Sequence, residues 1–279
     1  MVNPDYTIKE LCEVLDIKPS TYYDQIKAQP LSEEKVQIIK ILEQTAIETN
    51  NSYGKRRMQK QLKLEGITIG LHKTGSMMKV ANINAIRPQK KHYYPDGGIS
   101  DKQVGNLLGR KFDQPNVNTH WVGDITYIRS HQGWSYLAAV FDLGAKEVVG
   151  WALSKHPTAQ LAKQALANAV SRKRPETSKL LFHSDQGSQY SANMFAEYCE
   201  QLKITRSMSR RGNCWDNAVM ERFFRNLKTE RLNGLSFMNH QSVITEVESY
   251  IYFYNYKRLN SAIDYMTPNQ KFMQLKNVA

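Results

Sequence analysis

Three cysteines in 279 residues, Cys12, Cys199 and Cys214, are too few and too widely spaced for a disulfide framework, and no CxxC pair offers a zinc site. The chain also lacks an apolar run of membrane-spanning length, and its opening residues, MVNPDYTIKELCEV, hold no signal-peptide core. Together these absences point to a reducing, cytoplasmic setting. Acid is the third thing in short supply: 38 Lys and Arg outnumber 26 Asp and Glu, for a net charge of +12. The rest is ordinary for a globular chain, with 41% hydrophobic and 23% charged residues. The length suits one large domain or two to three smaller ones.

The excess charge is unevenly spread. Residues 1–50 carry 5 basic and 9 acidic side chains, residues 51–111 carry 13 and 3, residues 112–200 carry 8 and 8, and residues 201–279 carry 12 and 6. Two basic blocks around a neutral middle suit a polyanion gripped from two sides, nucleic acid first among them. A surface charged only for solubility is the alternative.

Residues 1–50 read as an all-helical region: two short helices with Leu11, Val14 and Leu15 at helical spacing, a turn near Asp16, Ser20 as a cap for the second, and a longer helix over 31–50. This is helix-turn-helix-like, but acidic. Residues 51–86 repeat the pattern with basic side chains. One helix runs from about Tyr53 to Leu64 and carries Lys55, Arg56 and Arg57; a second spans about Leu71 to Ala81 and carries Lys73. In a helix-turn-helix the second helix enters the major groove while the first contacts phosphates. A basic hairpin that packs on its neighbour would look the same. Residues 87–118, rich in Pro, Gly, Asn and Lys, read as a linker.

Beyond residue 118 the periodicity changes. WVGDITYIRS, WSYLAAVFDLG and EVVGWALS read as an antiparallel meander of three strands. A helix capped by Thr158 follows, then the strand KLLFHSD, a helix, the strand TRSMSR and a helix opened by Asp216. The order β-β-β-α-β-α-β-α predicts a mixed sheet with helices over residues 119–232, followed by a helical tail over 233–279.

Three acids stand out in that order. Asp124 interrupts the first strand, Asp185 ends the fourth, where open α/β sheets place ligands, and Glu221 lies on the last helix between Met220 and Phe223-Phe224. Each has a bland reading: a satisfied strand polar residue, a turn residue, a surface helix residue. If they converge, their repulsion raises their pKa values unless a cation joins them. Hard oxygen donors with few histidines favour Mg²⁺ or Mn²⁺ over zinc. His183 reads as a packed strand residue, and Gly187 and Gln189 as shaping the turn after Asp185.

WVGDITYI, HSDQGSQYSA and SMSRRGNCWDNAVMERFFRNLKTE resemble the catalytic motifs of DDE transposases of bacterial insertion sequences, relatives of retroviral integrases, in particular the class encoded by two overlapping reading frames. Thirty-five residues separate Asp185 from Glu221, the spacing of that family. The resemblance covers essentially the whole chain. It implies a ribonuclease-H-like integrase core, a mixed five-stranded sheet with helices, preceded by all-α helix-turn-helix modules. It further implies that Asp124, Asp185 and Glu221 bind two Mg²⁺ ions, with Mn²⁺ able to substitute, for cleavage and strand transfer of element ends. Lys228, two helical turns after Glu221, would contact DNA near the scissile end; Arg222, Arg225, Arg210 and Arg211 are further candidate phosphate contacts. Expected partners are the element's terminal inverted repeats, target DNA, at least a second copy of the chain, and the upstream-frame product. The chain begins with Met1 and shows no heptad zipper, which suits a downstream-frame product. The histidines and cysteines cannot form the HHCC zinc module of retroviral integrases. Two other functions stay open, a ribonuclease-H-like nuclease that does not join and an inactive DNA-binding protein. The tail, with Tyr250, Ile251, Phe253, Tyr254, Tyr256, Lys257 and Arg258, reads equally as an aromatic-basic nucleic-acid surface and as a packing helix.

Overall fold

A capping box opens the first helix. The computed structural model describes residues 7–26, 31–86, 104–209 and 214–277. In it α1 (Ile8–Val14) is capped by Thr7 and Glu10, each side chain taking the other's backbone N–H, and Asp16, at φ +50°, makes the expected turn. Ser20 is not the cap of α2 (Pro19–Ile26): the helix starts one residue earlier, at Pro19. Proline suits that first position, since its φ is already helical and its missing N–H would go unused.

Three helices form the next unit: α3 (Glu33–Glu48), α4 (Lys55–Leu64) and α5 (Leu71–Val80). Ile38, Leu42 and Ala46 of α3 share one core with Met58 and Leu62 of α4 and Met77 and Met78 of α5. That core also takes in Leu259, from near the other end of the chain.

The sheet contains β1 (His120–Ser130), β2 (Gly133–Asp142), β3 (Glu147–Ser154), β4 (Leu181–Ser184) and β5 (Thr205–Met208), in the order β3-β2-β1-β4-β5. The first three strands are the expected antiparallel meander; β4 runs parallel to β1, and β5 parallel to β4. Helices α6 (Ala159–Lys173), α7 (Ser188–Ser191) and α8 (Asn193–Gln201) cover one face, while α9 (Ala218–Leu227) and α10 (His240–Tyr256) cover the other; α11 (Pro268–Lys276) ends the fold. This is the mixed five-stranded sheet with helices that the order of elements predicts. The two faces follow from strand alternation: Trp121, Ala138 and Val140 pack under α6 and α8, and Val122, Leu137 and Ala139 under α9 and α10. Gly150 lets α6 approach closely, since a Cβ there would lie 2.5 Å from Ala169 Cβ. No helix among the described residues is long and apolar enough to cross a membrane.

One further sequence expectation is corrected here, and one open alternative is decided. Asp216 does not open α9, which begins at Ala218; its carboxylate is 3% exposed and accepts from Arg110 Nε at 2.6 Å and Asn106 Nδ2 at 2.9 Å. It therefore anchors the segment leading into β1. In the tail, Tyr250, Ile251 and Tyr254 are buried in the core under the sheet, so the packing reading of α10 holds for them.

A buried ionic cluster joins the three regions. Glu230 sits in a single π-type turn, Lys228–Leu232, that continues α9. Arg258 donates to both its oxygens, at 2.7 and 2.6 Å, Tyr250 Oη donates at 2.9 Å, and Arg57 of α4 lies 3.5 Å away. Burial opposes the Glu230 charge, yet the Arg258 hydrogen bonds and charge outweigh it and hold the carboxyl below its usual range. Alongside, Tyr53 Oη accepts from Leu259 N at 2.7 Å. Glu230→Ala would leave Arg258 buried without its counter-charge and is expected to lower stability by about 3–5 kcal/mol, measured by urea unfolding.

Candidate active site

Parallel pairing of β4 with β1 ends early. The register runs His120↔Leu181, Trp121↔Phe182 and Val122↔His183, and among the described residues the remaining length of β1 has no strand partner on that side. Gly123 marks the boundary: Phe182 crosses so closely that a Cβ would meet its ring at 2.4 Å. Asp124 is the next residue, at the start of the open edge, and its Oδ1 accepts from Ile125 N at 2.7 Å.

Asp185 follows the last residue of β4. Its Oδ1 accepts from Gly187 N at 3.0 Å, which folds the chain over into α7. Gln189 Nε2 bonds the Pro157 carbonyl at 3.0 Å and steadies the same turn. Asp124, Tyr127, Asp185, Gln189 and Tyr190 thus line one cavity of about 190 Å³.

The third acid comes from α9. Met220, Phe223, Phe224 and Leu227 form its buried stripe, with Phe223 set against Phe141, Tyr250 and Tyr254. That stripe orients the helix and leaves Glu221, Arg222 and Arg225 exposed on its outer flank. Glu221 therefore lies on the exposed flank of α9, outside the residues that line the cavity, and acts on Asp124 through its charge. Among the described residues, no three His, Cys, Asp or Glu side chains are gathered closely enough to hold one ion.

The electrostatics couple all three acids. Burial pushes the Asp124 carboxyl up to about 7, the charges of Asp185 and Glu221 add to this, and the Ile125 N–H and Lys228 oppose it. Burial also raises Asp185, against the Gly187 N–H, and raises Glu221, against the charge of Arg225. Tyr190 is pushed well above the ordinary tyrosine range, by burial first and then by the two aspartates, so its hydroxyl stays protonated.

The other acids and histidine are structural. Asp142 is fully buried; Asn118 N and Trp121 Nε1 donate to Oδ2 at 2.6 and 3.1 Å, and Ala145 N to Oδ1 at 2.8 Å. His183 is buried with Nδ1 2.8 Å from Ser207 Oγ, and burial lowers its pKa to about 4, which keeps the ring neutral.

The basic candidates are dispersed. Lys228 is half-buried, with Nζ 4.8 Å from the Tyr127 ring centroid, and acts electrostatically on Asp124. Lys55 and Arg56 are exposed on α4. Arg57 instead turns inward to Glu230, and Lys73 Nζ meets Glu34 Oε1 at 3.0 Å on the surface of the helical unit. Arg210 and Arg211 lie outside the described residues. Sequence reasoning missed Tyr127 and Tyr190 as cavity residues. Tyr127 left a signal, an aromatic three positions after the strand carboxylate; Tyr190 left none.

Two family models, each described as an integrase core domain, match residues 114–214 and 202–268. A 31 kDa protein of insertion element IS600 from Shigella sonnei is 33% identical over 95% of this chain and 99% of its own length. The transposase InsF of insertion sequence IS3A from Escherichia coli K12 is 32% identical over 99% of this chain and 96% of its own. The catalytic core of HTLV-2 integrase, solved with magnesium, superposes with a TM-score of 0.44 at 17% identity, over 56% of this chain and 97% of that one.

Opposite responses to amide substitution are expected at two aspartates. Asp124 is protonated more readily folded than unfolded, so its ionisation weakens the metal-free fold progressively from pH 4 to about 7. Asp124→Asn should therefore raise the unfolding midpoint at pH 8 and leave it little changed at pH 4. Burial also pushes the Asp142 carboxyl up to about 6, but three N–H groups donate to it. Asp142→Asn presents an NH₂ to a backbone or indole N–H in either orientation, and that loss should outweigh the relief of a buried charge and cost about 1–3 kcal/mol at pH 8. Urea unfolding at the two pH values measures both.

Proposed function

This chain belongs to the integrase-core transposases of insertion sequences, and on that footing we propose that it cleaves and joins its element's DNA ends through divalent metal held by Asp124, Asp185 and Glu221. One observation carries the assignment: Asp124 and Asp185 share a cavity at the open edge of β1, where burial and mutual repulsion leave Asp124 without a counter-charge strong enough to keep its pKa low. The donors fit hard cations, since the described residues lining that cavity include two carboxylates and neither histidine nor cysteine. Mg²⁺ is the assigned ion, with Mn²⁺ as a substitute. A pair of such ions, when bound, would stabilise charge on the attacking and leaving oxygens of an in-line phosphoryl displacement.

The chain's own residues supply position and charge. Asp124 and Asp185 are set by strand pairing and by the Asp185–Gly187 turn, while the aromatic stripe of α9 fixes the helix that carries Glu221. Lys228 supports phosphate near the reacting end, and Arg222 and Arg225 flank the same helix toward solvent. Water first attacks phosphorus at the element end and the 3′ oxygen leaves as a hydroxyl. That hydroxyl then attacks a target phosphodiester, releasing a second 3′-hydroxyl. No side chain becomes covalently attached to DNA. Two element ends require at least two copies of the chain, and the upstream-frame product is the proposed accessory partner.

The test is cleavage and joining by purified protein on DNA carrying the element's ends with Mg²⁺. Asp124→Asn, Asp185→Asn and Glu221→Gln should each abolish joined product while DNA binding persists. Cleavage without joining by the wild-type chain, with or without the upstream-frame product, would favour a nuclease instead.

A further inference from the structure

Few large aromatic side chains in the sheet domain face solvent, and two that do stand together beside the carboxylates. Tyr127 of β1 is 58% exposed and Trp134 of β2 is 44% exposed. Their rings meet edge to face, with centroids 5.2 Å apart and planes at 87°. Each ring also carries a cation: Lys228 lies over Tyr127 at 4.8 Å, and Arg129 over Trp134 at 5.6 Å.

Position separates this cluster from the chain's other exposed aromatics. Tyr252 and Tyr256 also stack in the open, but on α10, where Arg172 bonds the Tyr256 hydroxyl. Tyr127 lines the cavity of Asp124 and Asp185, three residues along the open edge of β1, about 10 Å at the rise of a strand. That cavity, about 190 Å³, has room for a phosphate group. Where the strand that delivers its phosphate there is locally opened, its bases lose their stacking partners.

We infer that Tyr127 and Trp134, with Arg129 and Lys228, form a stacking platform for an unpaired base next to the reacting phosphodiester. The inference rests on the transposase reading and extends it to the state of the DNA end. Aromatic faces accept any base, so such a platform acts on opened strands whatever their sequence, while the cations meet the adjoining phosphates. A cross-strand aromatic pair also braces the hairpin it sits on, because Tyr127 pairs in register with Tyr136 and Arg129 with Trp134. The test must therefore separate stacking from bracing.

The probe is element-end DNA with 2-aminopurine at an unpaired nucleotide beside the cleavage position, titrated with the full-length protein. The platform predicts strong quenching by the wild-type chain. Tyr127→Leu and Trp134→Leu keep apolar bulk on the hairpin but remove a π face. Each should melt like the wild type, lose the quenching and bind the unpaired end on the order of tenfold more weakly. Tyr127→Phe should retain both properties, and Tyr252→Ala, on α10, should match the wild type. Leu variants that quench and bind as the wild type does would overturn the platform, and the transposase reading would stand if they still cleave and join. A wild-type chain that neither binds nor cleaves element ends, even with the upstream-frame product, would overturn both.

Discussion

The short reach of β4 is the constraint on which the site depends. Only three of its residues pair with β1, and the chain then turns away at Asp185. A longer β4 would satisfy the edge of β1 and close the space in which Asp124 and Asp185 meet. An unpaired strand edge is normally a liability. Here a strand carboxylate, a loop carboxylate and a phosphate-sized cavity coincide. The cost shows in the electrostatics, where burial lifts Asp124 to about 7. Such a group is poorly served by the protein alone and well served by a cation.

The second constraint holds the helices around that edge. Glu230 lies two residues beyond Lys228, in the same π-type turn, and is fixed by Arg258 and Tyr250 from the tail and Arg57 from the helical unit. One buried carboxylate thereby ties the far end of α9 to both flanking regions. The orientation of Lys228, and of α4, is linked through this cluster to the position of α9.

Local patterns were legible and distant pairings were not. Alternation in WVGDITYIRS and its successors predicts the meander, and Thr158 caps α6 as its place before an apolar helix suggests. The family resemblance gives Asp142 no catalytic role, and its burial and three N–H donors fit a structural acid. Asp124 and Asp185 are legible as neighbours because parallel pairing of β4 with β1 brings the end of β4 beside Asp124. Asp216 and Arg57 mislead for one reason: a charged residue near a helix start looks like a cap or a solvent contact when its partner lies 106 or 173 positions away. The tail aromatics are ambiguous in sequence because a buried and a base-stacking row share the same composition. Tyr127 and Trp134 escape notice because apolar residues in strands are read as core.

Anomalous diffraction from crystals soaked in Mn²⁺ tests the central assignment most directly. The account predicts a manganese peak in the cavity between Asp124 and Asp185, with Glu221 drawn toward it, and no such peak in crystals of Asp185→Asn. Manganese bound elsewhere, with that cavity empty in the wild-type protein at saturating metal, would contradict it.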